Sequence, residues 1–491
     1  MLFRSEIANG WGFGSVNTMV KHWPGGGSGE AGRDAHYGIG KFAVYPGNNF
    51  NAHLIPFTEG AFKLKGKTQM AAAVMPYYTI SWNQDTKNGE NVGNSYNKFI
   101  INDLLRGKYK YDGVVCTDWS ITHNHNVMDV FVDGKPWGVE KLSIAERHYK
   151  VLMAGVDQFG GNNDVKPILE AYKMGVKEQG EAKMRARMEQ SAVRLLNNIF
   201  RVGVFENPYL DVQETKSIVG KPEYMKAGYE AQLKAIVLLK NQGNVLPITT
   251  KKTVYVPKRF IAASRNFLGM ETPATTEYPV NMDLIKKYFN VTDNPDAADF
   301  AFVAIQNPTA NTGYDSADVK KGGNGYIPIS LQYGEYTATD ARETSIAGGD
   351  PLEKSNNRSY KGKTTKAANF TDAQLVIDTK EKMKGKPVIL SVNTTNPMIF
   401  NEIEKSATAI LVHFGVQDQA LFETLSGKSE PSALLPMQMP KDMKTVEKQA
   451  EDLPYDVDCH MDAAGNRYDF GFGMNWKGVI KDARVNQFKA K

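Results

Sequence analysis

Gly113-Val114-Val115-Cys116-Thr117-Asp118-Trp119-Ser120 is the stretch on which the reading of this chain turns. Val114 to Cys116 is a short apolar run with β-branched members, the pattern of a strand buried on both faces. The charge of Asp118 comes where the run stops. In parallel α/β sheets, chemistry sits just past the carboxyl ends of the strands. A carboxylate placed there beside an indole can attack an anomeric carbon while the aromatic face holds a sugar ring. The same residues also fit a plainer arrangement, with Asp118 capping the next helix and Trp119 in the core.

The chain has 491 residues, 41% hydrophobic and 23% charged, which is ordinary for a globular protein and long enough for two or three domains. The net charge of +5 is small for this length. With no Lys/Arg-dense run interleaved with aromatics, it argues against a nucleic-acid partner. Lys320-Lys321 reads as a solvated loop. Cys116 and Cys459 make neither a disulfide framework nor a metal site by spacing, and Cys116 reads as a small hydrophobe inside its strand. No apolar run is long enough to span a membrane, and no signal-peptide pattern precedes the first charges.

Around the Asp118 strand, Val16–Val20 and Ala71–Met75 read as further strands. They end in Lys21-His22-Trp23-Pro24 and Pro76-Tyr77-Tyr78. Ala154–Phe159 is one more short strand-like unit. Helices are expected over 58–66, 96–107 and 142–153, and Met188, Ala192, Leu195, Leu196 and Ile199 share one helix face. Residues 1–15 read as a helix end and a Gly-rich turn. This alternation, with a polar cluster after each strand, is that of a parallel α/β domain and of a (β/α) barrel in particular. Residues 201–250 read as a linker with one helix around Tyr224–Leu239. A second α/β pattern follows, with strands at Thr253–Val256, Phe300–Ile305, Pro387–Val392 and Ala409–Phe414 and a helix at Leu375–Met383.

Several polar groups stand out. Lys21 and His22 can donate hydrogen bonds to sugar hydroxyls, and Gly25-Gly26-Gly27 lets backbone approach a ligand closely. Arg33-Asp34 and His36 share a polar loop. His123 and His125 read as surface groups, since a zinc site needs a third ligand. Asp157 either lines the site or caps a helix. Trp11, Trp82, Trp137 and Trp476 fit a core as well as a sugar platform.

The chain resembles glycoside hydrolase family 3. Lys21-His22-Trp23-Pro24-Gly25 is similar to that family's Lys-His-Phe-x-Gly segment. Leu54-Ile55-Pro56-Phe57, Val74-Met75-Pro76-Tyr77-Tyr78 and Leu105-Arg106 through Tyr111-Asp112-Gly113 follow in the family's order. Thr117-Asp118-Trp119 resembles its Ser-Asp-Trp nucleophile motif. Val204 to Tyr209, Val237 to Pro247, Leu425-Ser426-Gly427 with Pro431 to Pro436, and Asp469-Phe470-Gly471-Phe472-Gly473 match the linker and the second domain. The resemblance runs from about residue 14 to 476.

It implies an α/β chain in which an incomplete (β/α)8-type barrel (1–205) is followed by a linker and helix (206–245) and an α/β sandwich domain (246–491). It implies an exo-acting, retaining hydrolase that removes a terminal β-linked sugar, with glucose expected, from oligosaccharides or glycosides. The alternatives are a β-xylosidase or β-N-acetylglucosaminidase, and a truncated, non-catalytic carbohydrate-binding fragment. In this reading Asp118 is the nucleophile and Trp119 the aromatic platform. Lys21 and His22 grip the terminal sugar, and Tyr78 stands near the nucleophile. No cofactor or metal is required. A periplasmic or secreted location is what the resemblance implies.

Two departures shape the expectations. Only some 20 residues precede Lys21, fewer than the family's barrel uses, so the chain is expected to be truncated or to start at an internal methionine. The loop after Phe300–Ile305 lacks the family's Gly-Glu-Gly-type glutamate. A long polar insertion follows at about 315–370, much longer than an ordinary connection. It holds Glu335 and Glu343. Glu343, beside Arg342 and before Ala347-Gly348-Gly349, is the expected acid/base. Asp34 with His36 is the alternative, similar to the Asp-x-His acid/base of the family's N-acetylglucosaminidase branch.

Overall fold

Val114 and Val115 are both buried, and they form the strand that the β-branched run predicts. In the computed structural model, which describes residues 16–266 and 270–487, this strand lies in a parallel sheet with Met19–Trp23 and Ala73–Pro76. A parallel bridge from Cys116 to Gln158 extends the sheet by one position. Residues 1–15 lie outside the described part, and so do the helix end expected there and Trp11.

The first strand sits three residues later than Val16–Val20. Pairing of Met19 with Ala73, Val20 with Val74 and Lys21 with Met75 carries the ladder through the polar residues. Backbone pairing ignores side-chain polarity when alternate side chains can point away, so Lys21 is exposed and His22 half-buried within the strand. The helix expected at 58–66 begins earlier, at Phe50, and continues through a wide turn to Ala61. The later helices hold to the pattern. Phe99–Lys108 buries Ile100, Ile101, Leu104 and Leu105. Ile144–Ala154 starts at a reciprocal Ser143–Glu146 capping box.

Asp157 neither lines a cleft nor caps a helix. Its carboxylate accepts from Val115 N–H at 3.0 Å, Arg106 at 2.5 Å, Arg194 at 3.1 Å and Ser191 at 2.7 Å. Guanidinium groups from two helices are thereby tied to the strand that leads to Asp118.

The second domain is an eight-stranded mixed sheet. Asn290–Thr292, Thr253–Tyr255, Phe300–Gln306, Val388–Asn393 and Ala409–His413 run parallel, and their inner residues form two apolar layers. Val237–Asn241 is antiparallel to Ala409–His413. The helix expected around Tyr224–Leu239 therefore stops at Leu233. Ile236 to Leu239 is a solidly apolar run, buried in a way that suits a sheet strand better than one more helical turn.

The insertion after Phe300–Gln306 packs against the first domain. Lys41 is buried between Asp350 of the insertion, at 2.8 Å, and Glu140, at 2.9 Å. Arg358, also buried, donates to the Ile39 carbonyl at 3.1 Å and stacks 4.6 Å over Phe42. Glu30 accepts the Ile346 N–H at 2.5 Å. Asp452 receives the N–H groups of Gly47 and Asn49, both at 2.7 Å.

Lys41→Met leaves two carboxylates facing each other without their cation. The variant is expected to lose about 3–5 kcal/mol of stability, read as a lower urea midpoint. A midpoint within error of the wild type would contradict the buried-bridge assignment.

Candidate active site

The parallel sheet delivers its polar residues to one place. His22 is the next-to-last residue of the first strand, Tyr77 and Tyr78 follow the second, and Asp118 follows the third. His22 Nε2 stands 3.2 Å from Asp118 Oδ2. The alignment is poor for a hydrogen bond, and Oδ2 has no well-aligned partner among the described residues. The other oxygen, Oδ1, accepts the Trp119 N–H at 2.8 Å. Tyr78 donates to the Trp119 carbonyl at 2.9 Å.

These contacts set the charge of the site. Burial by itself would raise the Asp118 carboxyl, but His22, the Trp119 N–H and the Tyr78 phenol outweigh it and hold the group below the ordinary carboxylate value. Burial and the facing Asp118 push the Tyr78 phenol well above its usual value, so it stays a neutral donor. Trp119 does not enter the core. Its side chain is 64% exposed and lies on Gly161. A Cβ on Gly161, whose φ is +62°, would fall 2.6 Å from the indole, so any larger residue there would displace the platform.

A second carboxylate belongs to the same cluster. Asp34 Oδ1 is 2.7 Å from His36 Nδ1 and receives the Tyr77 hydroxyl at 3.4 Å. Burial raises Asp34, and the His36 contacts more than reverse it. The Tyr77 ring in turn lies 4.7 Å from the His22 ring, and His36 packs edge-on to Tyr78 at 5.1 Å. A continuous path of rings thus joins Asp118 to the Asp34–His36 pair.

Sequence reasoning missed Lys135 and Phe131. Lys135 is buried, donates to the carbonyls of Phe131 and Asp133, and lies 5.2 Å from the Tyr78 ring. Burial lowers its ammonium, while Asp133, Asp118 and Asp34 pull it back up. Phe131 stacks on His36 at 4.7 Å with the ring planes 6° apart. Both come from an irregular stretch whose sequence has no periodicity to place it.

The other expected residues land differently. Lys21 is exposed and lines an open cleft with His22, Gly25–Gly27, His53 and Leu453. Glu343 is exposed and bound to Lys361 at 2.8 Å, which holds its carboxyl below the ordinary value. No hydrogen bond, ion pair or shared cleft links it to the Asp118 cluster among the described residues. His123 is exposed. The His125 side chain, read as a surface group, is instead buried edge-on against Trp137. Among the described residues there is no group of three or more His, Cys, Asp or Glu that could hold a metal ion.

Two family models match. Residues 3–198 match the one described as Glycosyl hydrolase family 3 N terminal domain, and residues 236–476 match the Glycosyl hydrolase family 3 C-terminal domain. The chain belongs to glycoside hydrolase family 3. It is 30% identical to a beta-glucosidase C of Emericella nidulans over 90% of its length, and 30% identical to a periplasmic beta-glucosidase/beta-xylosidase of Dickeya chrysanthemi over 95%. It spans 60% and 61% of those proteins. Among solved structures, a beta-glucosidase of Listeria innocua in complex with glucose superposes with a TM-score of 0.58 at 17% identity, covering 94% of this chain and 57% of that one. This likeness shows the fold.

Because the Asp118 carboxyl lies below its unfolded value, its contribution to stability is present above the ordinary carboxylate range. It is lost as pH falls through the folded value. The stability difference between wild type and Asp118→Asn is therefore expected to move in favour of the Asn variant on acidification below about pH 4. Urea midpoints of both proteins across pH 3–7 measure it. A difference that does not change with pH would contradict the charged, His22-facing carboxylate.

Proposed function

We propose that this family 3 chain is an exo-acting, retaining β-glycosidase of the β-glucosidase type, acting on oligosaccharides or glycosides. The observation that carries the reading is the state of Asp118. It is held ionised by its neighbours, its Oδ2 accepts no well-aligned hydrogen bond among the described residues, and an exposed indole lies beside it. The two relatives with beta-glucosidase in their names support glucose as the sugar, and the second of them adds xylose as the alternative. The word periplasmic in the latter's name supports a periplasmic or secreted location.

In this reading Asp118 Oδ2 attacks the anomeric carbon while the bond to the leaving oxygen breaks. A neighbouring acid gives that oxygen its proton, then takes one from the water that releases the sugar and frees Asp118. Lys21 and His22 bind hydroxyls of the terminal sugar, Trp119 covers its face and Tyr78 steadies Asp118. For the proton donor, the surroundings favour His36 with Asp34 over Glu343. The His36–Asp34 pair is joined to the nucleophile through Tyr77 and Tyr78. Glu343 is exposed and ion-paired elsewhere, whereas a carboxylic acid serving as donor needs its value raised.

We also read the parallel sheet of the first domain as part of a (β/α)8-type barrel. The placement of His22, Tyr78 and Asp118 at strand ends supports this. For the domain division we take the second unit to begin at Val237, whose strand is bonded into the larger sheet.

Incubation with a 2-fluoro-β-glucoside is expected to leave a single adduct on the peptide carrying Asp118, read by mass spectrometry. Turnover of an aryl β-glucoside should fall by about 10³-fold or more in Asp118→Asn. An adduct on another residue would overturn the nucleophile. Sugar binding with neither adduct nor turnover would favour the non-catalytic, carbohydrate-binding reading.

His36→Ala should lose about 10²–10⁴-fold on a glycoside with a poor leaving group, keep most of its rate on a dinitrophenyl glycoside, and leave Glu343→Gln near wild type in comparison. The opposite ranking of the two variants would return the acid to Glu343.

A further inference from the structure

Between the two domains lies a cavity of about 310 Å³, lined by Glu30 to Arg33 of the first domain and by Arg342, Arg358, Tyr360 and Glu447 of the second. None of Asp118, His22, Tyr78 or His36 lines it. Glu451 borders both this cavity and the cleft at Lys21 and His22. Its carboxylate holds the two terminal nitrogens of Arg342 at 2.6 and 2.8 Å, so this ion pair stands between the two spaces.

The charges around the cavity do not balance pairwise. Arg342 holds Glu451, and Arg358 holds Glu353 at 3.0 Å. Arg33 has no carboxylate within ion-pair distance among the described residues. It is 4% exposed, donates to the Arg358 carbonyl at 3.2 Å, and its Nε is buried without a partner. Its guanidinium lies 4.4 Å over the Tyr326 ring and 5.4 Å from that of Tyr360, fixed in place by both. A buried arginine with unused donors is a strong site for a carboxylate, because the fork of N–H groups matches its two oxygens.

Glu30 of the lining acts on Arg33 through charge, but its carboxylate accepts the Ile346 and Ala347 N–H groups, and Glu447 does not supply that carboxylate either. Its oxygens already accept the hydroxyls of Tyr336, at 2.9 Å, and Tyr360, at 2.7 Å. The rest of the lining includes the hydroxyl groups of Ser345 and Ser359 and the amides of Asn396 and Gln449, a set suited to ligand hydroxyls. The volume is at the small end of ligand pockets and suits one monosaccharide-sized molecule.

We propose that this cavity is a second binding site, separate from the Asp118 cluster, for a small hydroxylated carboxylate of monosaccharide size, a uronate or aldonate. The carboxylate sits on Arg33 and the hydroxyls face the serine and amide groups. Arg33 is joined by one peptide bond to Asp34, so the ligand contacts the base of the loop that carries Asp34 and His36.

Titration calorimetry with sodium D-glucuronate, sodium D-gluconate and D-glucose, on the full chain in a carboxylate-free buffer, tests this. Saturable binding of one of the two acids at one site per chain is expected, with D-glucose markedly weaker. Arg33→Met should weaken the acid by about 10- to 100-fold. Val446→Phe, which fills the cavity from the wall, should abolish binding and serves as the deciding variant if Arg33→Met does not fold. Asp118→Asn and His22→Ala should bind the acid with unchanged affinity, which separates this site from the catalytic reading. No saturable binding of either acid, equal binding of D-glucose, unchanged affinity in Val446→Phe, or loss of binding in Asp118→Asn would each overturn the proposal.

Discussion

The Asp34–His36 half of the candidate site depends on how the second domain grips the loop from Ser28 to Tyr45. That loop has almost no regular structure of its own. It is held by the buried side chain of Arg358 on the Gly38 and Ile39 carbonyls, by Asp350 on Lys41, by backbone N–H groups on Glu30 and by Asp452 just beyond it. Each contact pairs a charge with a partner that would otherwise be buried and unsatisfied. Loss of one partner is costly, and the set is therefore cooperative. The insertion that supplies most of these groups is what a long, polar connection looks like when its polar residues have work at an interface rather than in solvent.

The consequence is an electrostatic arrangement that neither domain makes alone. The first domain's strands bring Asp118, His22 and the tyrosine pair into contact through sheet register. The loop brings Asp34 and His36 to the same tyrosines. Lys135, buried nearby, offsets part of the repulsion between the two carboxylates. Both carboxyls lie below their ordinary values, and His36 lies 2.7 Å from Asp34 between the loop and the tyrosine pair.

Much of this was legible in the sequence, and the reasons differ by element. Val114-Val115-Cys116 followed by Asp118 gave a strand and a strand-end carboxylate because burial on both faces demands an apolar run and stops at the first charge. The sandwich strands at 253, 300, 388 and 409 were legible for the same reason. The strand at Val237–Asn241 was not, because its apolar run continues directly from a helix and periodicity cannot separate the two. Met19–Trp23 was misplaced because its polar end stays in the ladder. At the site, the Asp-x-His pair was visible as a motif. Its nearness to Asp118 was not, since it depends on Tyr77, Tyr78 and the interdomain grip. Lys135 and Phe131 lie in irregular backbone, where only the folded chain shows what they touch. Glu343 stands out in the sequence for its small and basic neighbours, and Lys361, 18 residues away in sequence and 2.8 Å away in space, is the partner that no local pattern reveals.

The second domain, through Arg358, holds the loop on which half of the site rests. Amide hydrogen exchange of wild type and Arg358→Gln, followed by mass spectrometry of peptides covering residues 28–45 and 110–120, tests it most directly. Faster exchange across 28–45, with the Asp118 strand peptide unchanged, is the expected result. Equal protection of the loop in both proteins would contradict the claim.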